Sequence, residues 1–206
     1  MEQNQLQADS LKPKITLRKA TPSDAGLIAE VVMSGMGFNV DSQEVLRGKS
    51  PLGDVRKVLD ALAAVAAMDD TLYSYRNTYV AVYEGKSAGC LVSYNGGEYK
   101  EKSRYTFALI SGILGVGEFH PGEETCAGEY YLDSLAVLPE FRGHSISRIL
   151  IGNALEVAQG LGFTLATLIV DKGKPWLHRL YSSLGFRPDR EVEFCGEPYI
   201  RMVQDI

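Results

Sequence analysis

Residues 135–147 read LAVLPEFRGHSIS: the end of a strand, a short turn holding Arg142 and Gly143, and the opening of a long helix. A helix that begins this way presents several backbone N–H groups with no intrahelical partner, together with the positive end of its dipole, and so forms a cradle for a phosphate-like anion. Gly143 lets the backbone approach a ligand closely, Arg142 adds a fixed positive charge, and Ser145 and Ser147 add hydroxyl donors. On spacing alone, a serine cap and a solvated arginine explain these residues equally well. The run Gly143-His144-Ser145-Ile146-Ser147 is also one residue away from the Gly-x-Ser-x-Gly turn of a serine hydrolase, with Asp171 and His178 downstream in the chain order of a triad. Leu138-Pro139-Glu140-Phe141-Arg142 separate strand from turn, where a nucleophile elbow needs almost direct entry, so hydrolysis through Ser145 is a remote alternative. Gly112, Gly115 and Gly117 stand in Gly-x-x-Gly-x-Gly order without the βαβ context of a dinucleotide fingerprint. His120, His144 and His178 are isolated, and Cys90, Cys126 and Cys195 form no CxxC pair or Cys/His spacing, so neither a metal nor a cysteine relay is expected.

The elements that would position this turn lie on both sides of it. Ile15, Leu17 and Lys19 alternate as a strand, and Thr21-Pro22-Ser23-Asp24 offers a cap, a first-turn proline and an early acid for a helix over Ala25 to Val32, stopped by Gly35 and Gly37. From Pro51 onward Val55, Val58, Leu59, Leu62, Val65 and Ala66 recur at helical spacing. Thr78 to Tyr83 and Ala88 to Tyr94 read as a hairpin around Glu84-Gly85-Lys86-Ser87. Residues 95–127 are punctuated by glycines and read as an insertion, in which Tyr105 to Leu114 fits helix or strand. A strand follows from Glu129 to Leu138, and a helical stripe then runs from Ile146 to Leu161 and ends at Gly162. Phe163 to Val170 is an apolar strand, Pro175 to Leu184 a short helix, and Glu191 to Val203 a hairpin turning at Gly196-Glu197-Pro198. This order predicts a single α/β domain over residues 14–206 behind a loose lead-in at 1–13. Its sheet is mixed and mostly antiparallel, flanked by helices on both faces, with a central parallel pair supplied by the βαβ unit 129–170.

Together with Leu180-Tyr181 and Gly185-Phe186, the turn resembles the acetyl-CoA-binding core of the GCN5-related N-acetyltransferase (GNAT) superfamily. The family signature Arg/Gln-x-x-Gly-x-Gly/Ala stands here as Arg142, Ser145 and Ser147, and the later Leu-Tyr-x-x-x-Gly-Phe as Leu180, Tyr181, Gly185 and Phe186. Leu135-Ala136-Val137, Pro139 and Phe141 are similar to the family's strand and turn, and the resemblance runs over roughly residues 129 to 188. Two features depart from the pattern: serines replace both small residues of the first motif, and Lys174 stands where an asparagine often opens the last helix. The Cβ of Ser145 is expected to narrow the room for a pyrophosphate.

The resemblance implies a GNAT-like fold and an N-acetyltransferase that moves acetyl from acetyl-CoA, its co-substrate, to a primary amine of a small molecule or peptide by direct attack in a ternary complex. It implies that Leu135, Ala136 and Val137 line the pantetheine arm, with an N–H near Ala136 or Val137 polarising the thioester carbonyl. Amides of Arg142, Gly143, His144, Ser145, Ile146 and Ser147 would hold the pyrophosphate, Lys174 would flank the coenzyme, and Tyr181 would protonate the leaving thiolate. For the base, Glu129, Tyr131 and Asp133 alternate along one strand and so share a face; Glu129 or Asp133 could take the amine proton, and ordinary carboxylates at a solvated strand end fit equally. The two serines keep a non-catalytic acyl-CoA sensor open as the alternative.

Composition narrows the partners. With 45% hydrophobic and 23% charged residues in 206, the chain is neither disordered nor fibrous. Its 26 acidic against 21 basic residues give a net charge of −5, which opposes a nucleic-acid partner. The longest apolar stretch, Leu59 to Met68, contains Asp60 and falls far short of the ~18 residues needed to cross a bilayer. Met1 to Lys14 is polar and lacks the apolar core of a secretory leader. A cytoplasmic chain with no membrane association is expected, and a homodimer is compatible with these features.

Overall fold

The structure, a computed structural model, describes residues 14–35, 54–117, 122–194 and 196–206. The expected lead-in at 1–13, the helix stop at Gly37, His120 and Cys195 lie outside the described residues. In chain order the elements are β1 (Ile15–Lys19), α1 (Ala25–Gly35), α2 (Val55–Ala66), β2 (Thr78–Tyr83), β3 (Lys86–Asn95), α3 (Tyr99–Leu114), β4 (Tyr130–Val137), α4 (Ile146–Gly160), β5 (Leu165–Asp171), α5 (Pro175–Ser182), β6 (Arg187–Phe194) and β7 (Glu197–Asp205). The strands form one sheet in the order β1-β2-β3-β4-β5-β7-β6. Its neighbours are antiparallel except β4 and β5, which run parallel, so the mixed α/β architecture read from the sequence is the observed one.

Local chemistry sets the helix starts. Thr21 and Asp24 form a capping box ahead of α1, and Asp24 also accepts two bonds of 2.7 Å from the Arg18 guanidinium. Asp54 caps α2 by accepting from the Arg56 amide at 2.9 Å. Residues 99–114 are a helix, which includes Tyr105 to Leu114, where periodicity allowed helix or strand. Tyr99, Thr106, Phe107 and Ile110 are buried at helical spacing, and the Thr106 hydroxyl accepts from the Leu72 amide at 2.9 Å. Tertiary packing decided that segment, which the reading as a glycine-rich insertion left open.

The sheet carries a core on each face. One joins α1, α2 and α3 to Val80, Cys90, Val92 and Tyr131; the other joins α4 to Leu91, Leu132, Leu168 and Met202. Strand β3 is buried on both sides, and a Cβ at Gly89 would collide with the Ala136 carbonyl oxygen, so glycine lets β3 lie tight against the C-terminal half of β4.

Candidate active site

The site forms where the parallel pair opens. Strands β4 and β5 pair only at Tyr130↔Ala166 and Tyr131↔Thr167. Toward their C-terminal ends they bound a cleft of about 550 Å³ lined by Asp133, Leu135, Ala136 and Val137 from β4 and by Ile169, Val170 and Asp171 from β5. A bulge in β4 contributes: Val92 of β3 faces Ser134 while the next residue, Ser93, faces Leu132, leaving Asp133 unmatched. The extra residue switches the parity of the strand. Tyr130 and Leu132 pack in the α4-side core, as do Leu135 and Val137 beyond the bulge, whereas Tyr131 and Ala136 pack in the other. Leu138 donates its amide to the Ala88 carbonyl at 2.9 Å. Strand alternation then turns the Ala136 amide toward β3 and those of Leu135 and Val137 toward the cleft.

The start of α4 borders the same cleft. Its first residue is Ile146, and the Ser145 side chain caps none of its amides. The N–H groups from Gly143 to Arg148 have no acceptor among the described residues. Arg142 and Ser147 line the cleft, and the Arg142 Nε donates to the Val137 carbonyl at 3.3 Å. Gly143, His144 and Ser145 are exposed, His144 lies against Tyr83 with ring centroids 4.5 Å apart, and Ile146 is buried in the core. Unpaired amides at a helix start, opening on a cleft, fit the diphosphate of a coenzyme. Ser145 sits in the left-handed region at φ 60°, so it carries backbone strain. Ser145→Gly is therefore expected to stabilise the fold by about 1 kcal/mol, raising the thermal midpoint by about 2–4 °C in a melting scan.

Across the cleft, α5 contributes Leu180 and Tyr181, and Lys174 at its start lies 3.5 Å from the Asp171 carboxylate. Burial pushes the Tyr181 phenol up to about 12. The hydrolase arrangement is not formed: His178 meets the backbone carbonyl of Asp171 at 3.1 Å, and the Asp171 carboxylate accepts from the Gly173 amide at 2.7 Å. Among the described residues no His/Cys/Asp/Glu cluster could hold a metal ion, and no helix is long and apolar enough to cross a membrane.

The two candidate bases separate. Asp133 lines the cleft; its Oδ2 accepts from the Tyr94 phenol at 2.5 Å and its Oδ1 from the Ser134 hydroxyl at 2.7 Å. Glu129 precedes β4 and is 6% exposed. Its oxygens accept from the Arg201 guanidinium at 2.5 Å, the Thr125 hydroxyl at 2.9 Å, the Cys126 thiol at 3.1 Å and the Thr167 hydroxyl at 3.1 Å. The structure thus gives Glu129 a full set of partners away from the cleft lining and does not bring it together with Asp133.

The residue that does join Asp133 is Glu124, which falls in the segment read as an insertion and shares no spacing with the motifs. It accepts from the Tyr131 phenol at 2.5 Å and contacts the Tyr99 hydroxyl at 2.9 Å. Burial and the Asp133 charge push Glu124 up to about 8, against the hydrogen bond from Tyr131. Burial likewise raises Asp133, against those from Tyr94 and Ser134.

The profile described as the acetyltransferase (GNAT) family matches residues 64–186. A solved acetyltransferase structure is 26% identical over 93% of this chain and 99% of its own, with a TM-score of 0.72. An N-acetyltransferase from Staphylococcus aureus Mu50 is 23% identical over 91% of this chain and 99% of its own, with a TM-score of 0.73. AAC(6')-Ib, solved with ribostamycin and coenzyme A, shares the fold at 20% identity and a TM-score of 0.58, over 94% of each chain. No curated protein matches the sequence.

Proposed function

The chain belongs to the acetyltransferase (GNAT) family and is an N-acetyltransferase, and we propose that it moves the acetyl group of acetyl-CoA to a primary amine of a small molecule or peptide by direct attack in a ternary complex. The observation that carries this reading is the opening between β4 and β5 onto the unpaired amides of α4. Acetyl-CoA, when bound, supplies the activated thioester. The amides from Gly143 to Ser147, with the Arg142 charge, would hold its pyrophosphate, and Lys174 would flank it at the opposite wall. The backbone of Leu135, Ala136 and Val137 would run beside the pantetheine arm. Of the candidate donors to the thioester carbonyl, the Val137 amide has the right orientation, because the Ala136 amide faces β3.

An ammonium acceptor gives up two protons on becoming an amide. One would leave to the medium before attack, Asp133 would take the other from the acceptor nitrogen and pass it to the medium, and Tyr181, held protonated by burial, would give its own to the departing thiolate and recover one from the medium. Of the two candidate bases, Glu129 is committed to Arg201 while Asp133 lines the cleft, which supports Asp133 in this role. Neither Asp133 nor Glu124 meets a lysine, arginine or histidine among the described residues, so an entering ammonium would supply the cation their charge lacks.

The test is titration with acetyl-CoA followed by thiol release over a panel of amines. Turnover supports the enzyme, whereas coenzyme binding without turnover on any amine would leave a binding module. In Tyr181→Phe, kcat is expected to fall about 100-fold with the coenzyme Kd unchanged; an unaltered kcat would remove Tyr181 from the proton path.

A further inference from the structure

We propose that Glu124 is a positioning residue for the transfer: it carries a proton beside Asp133, and the gain or loss of that proton sets how strongly Asp133 draws the proton of the acceptor amine. The inference rests on the function proposed above and deepens it.

The Tyr99 hydroxyl lies 2.7 Å from the Gly122 carbonyl oxygen and 2.9 Å from Glu124 Oε1. It has one hydrogen, and a carbonyl oxygen can only accept. When that hydrogen goes to Gly122, the contact with Glu124 is a bond only if Glu124 Oε1 is itself protonated and donates. The other Glu124 oxygen, Oε2, stays an acceptor and takes the Tyr131 phenol at 2.5 Å. Each of these partners is then satisfied with Glu124 neutral. Asp133 shows the opposite pattern, since its two oxygens accept from Tyr94 and Ser134 as an ionised carboxylate does.

The groups that face the pair are Tyr99 from α3, Tyr94 from β3, and Tyr131 and Ser134 from β4, all neutral; Gly35 at the end of α1 lies against Ser134. The Tyr94 and Tyr131 rings, whose phenols reach the two carboxylates, lie with centroids 5.8 Å apart, which draws Asp133 and Glu124 into one cluster where two negative charges would repel. One proton on Glu124 relieves that repulsion and lets Asp133 ionise at neutral pH. The burial and the Asp133 charge that push Glu124 up to about 8 agree with this division of roles. As pH rises through that value Glu124 ionises, its charge increases the proton affinity of Asp133, and Asp133 becomes the stronger base. Glu124 acts only through Asp133, and it is Asp133 that lines the cleft.

The experiment compares kcat/KM of the full chain and of Glu124→Gln, with acetyl-CoA and one amine from the panel, between about pH 6 and about pH 10. Ionisation of the acceptor amine is common to both enzymes and cancels in the ratio of wild type to variant. That ratio is expected to rise about threefold or more with pH, with its midpoint near 8. A ratio independent of pH, with both enzymes active, overturns the role of Glu124; no transfer by the wild type at any pH overturns the function itself. Tyr99→Phe serves as the second variant. If Tyr99 accepts from protonated Glu124, its loss removes a partner of the neutral form and the midpoint of the wild-type profile moves down. A midpoint that moves up means that Tyr99 donates to an ionised Glu124, and the proposal fails.

Discussion

Asparagine in place of Asp133 is expected to lower kcat by about two orders of magnitude or more. The substitution keeps size and shape and leaves the Tyr94 and Ser134 hydroxyls 2.5 and 2.7 Å from an oxygen or amide group that can still bond them. What it removes is a lone pair basic enough to hold a proton. Because Asp133 is the unmatched residue of the β4 bulge, no neighbour in register takes its place at the cleft wall. The loss should fall on kcat and leave the coenzyme Kd unchanged, since the amides assigned to the pyrophosphate lie beyond Arg142. The acid limb of the wild-type profile carries the same information. Burial raises Asp133, so the active ionised form is lost, as pH falls, at a higher pH than for an exposed carboxylate. Steady-state kinetics with acetyl-CoA and a saturating amine decide it: a kcat within a few-fold of wild type would hand the proton to solvent instead.

Alanine in place of Glu129 is expected to destabilise the fold by about 3–5 kcal/mol, read by denaturant unfolding. Arg201 is 4% exposed and pairs with both Glu129 and Asp189, while its Nε has no partner among the described residues. Removing Glu129 leaves the buried guanidinium with only the partly exposed Asp189 and orphans the Thr125, Cys126 and Thr167 donors around it. The pH dependence follows from the same contacts. Burial would raise Glu129, but the bonds from Cys126 and Thr125, the Arg201 charge and the bond from Thr167 outweigh it and hold the carboxylate below its ordinary value. Its contribution is therefore fully present above the unfolded-state pKa and is lost as pH falls through the lower folded-state pKa. The variant should accordingly lose less stability on acidification than the wild type. A destabilisation under about 1 kcal/mol would mean that water replaces the carboxylate at little cost.

Glu129 and Glu124 mark where local sequence ceased to be informative. Alternation along a strand put Glu129 and Asp133 on one face, and that reasoning holds only while the strand stays regular. The β4 bulge breaks it, and Glu129 lies just ahead of the strand, turned to the Arg201 of β7, a residue far along the chain that no spacing connects to it. Glu124 is illegible in the sequence for the complementary reason: Tyr99 of α3 and Tyr131 of β4 bring it into the cluster with Asp133.

The amino-acid sequence by itself determined the turn into α4, the strands and helices on either side of residues 95–127 and the βαβ unit that supplies the parallel β4–β5 pair, because each follows from local periodicity and turn residues, while the motif around Tyr181 rests on resemblance to a family. The tertiary structure decided that residues 99–114 are helical, that Ser145 carries backbone strain, and which carboxylates cluster at the cleft. Those outcomes depend on burial and on partners distant in the chain, and a carboxylate's chemistry is set by what surrounds it more than by where it stands in a motif.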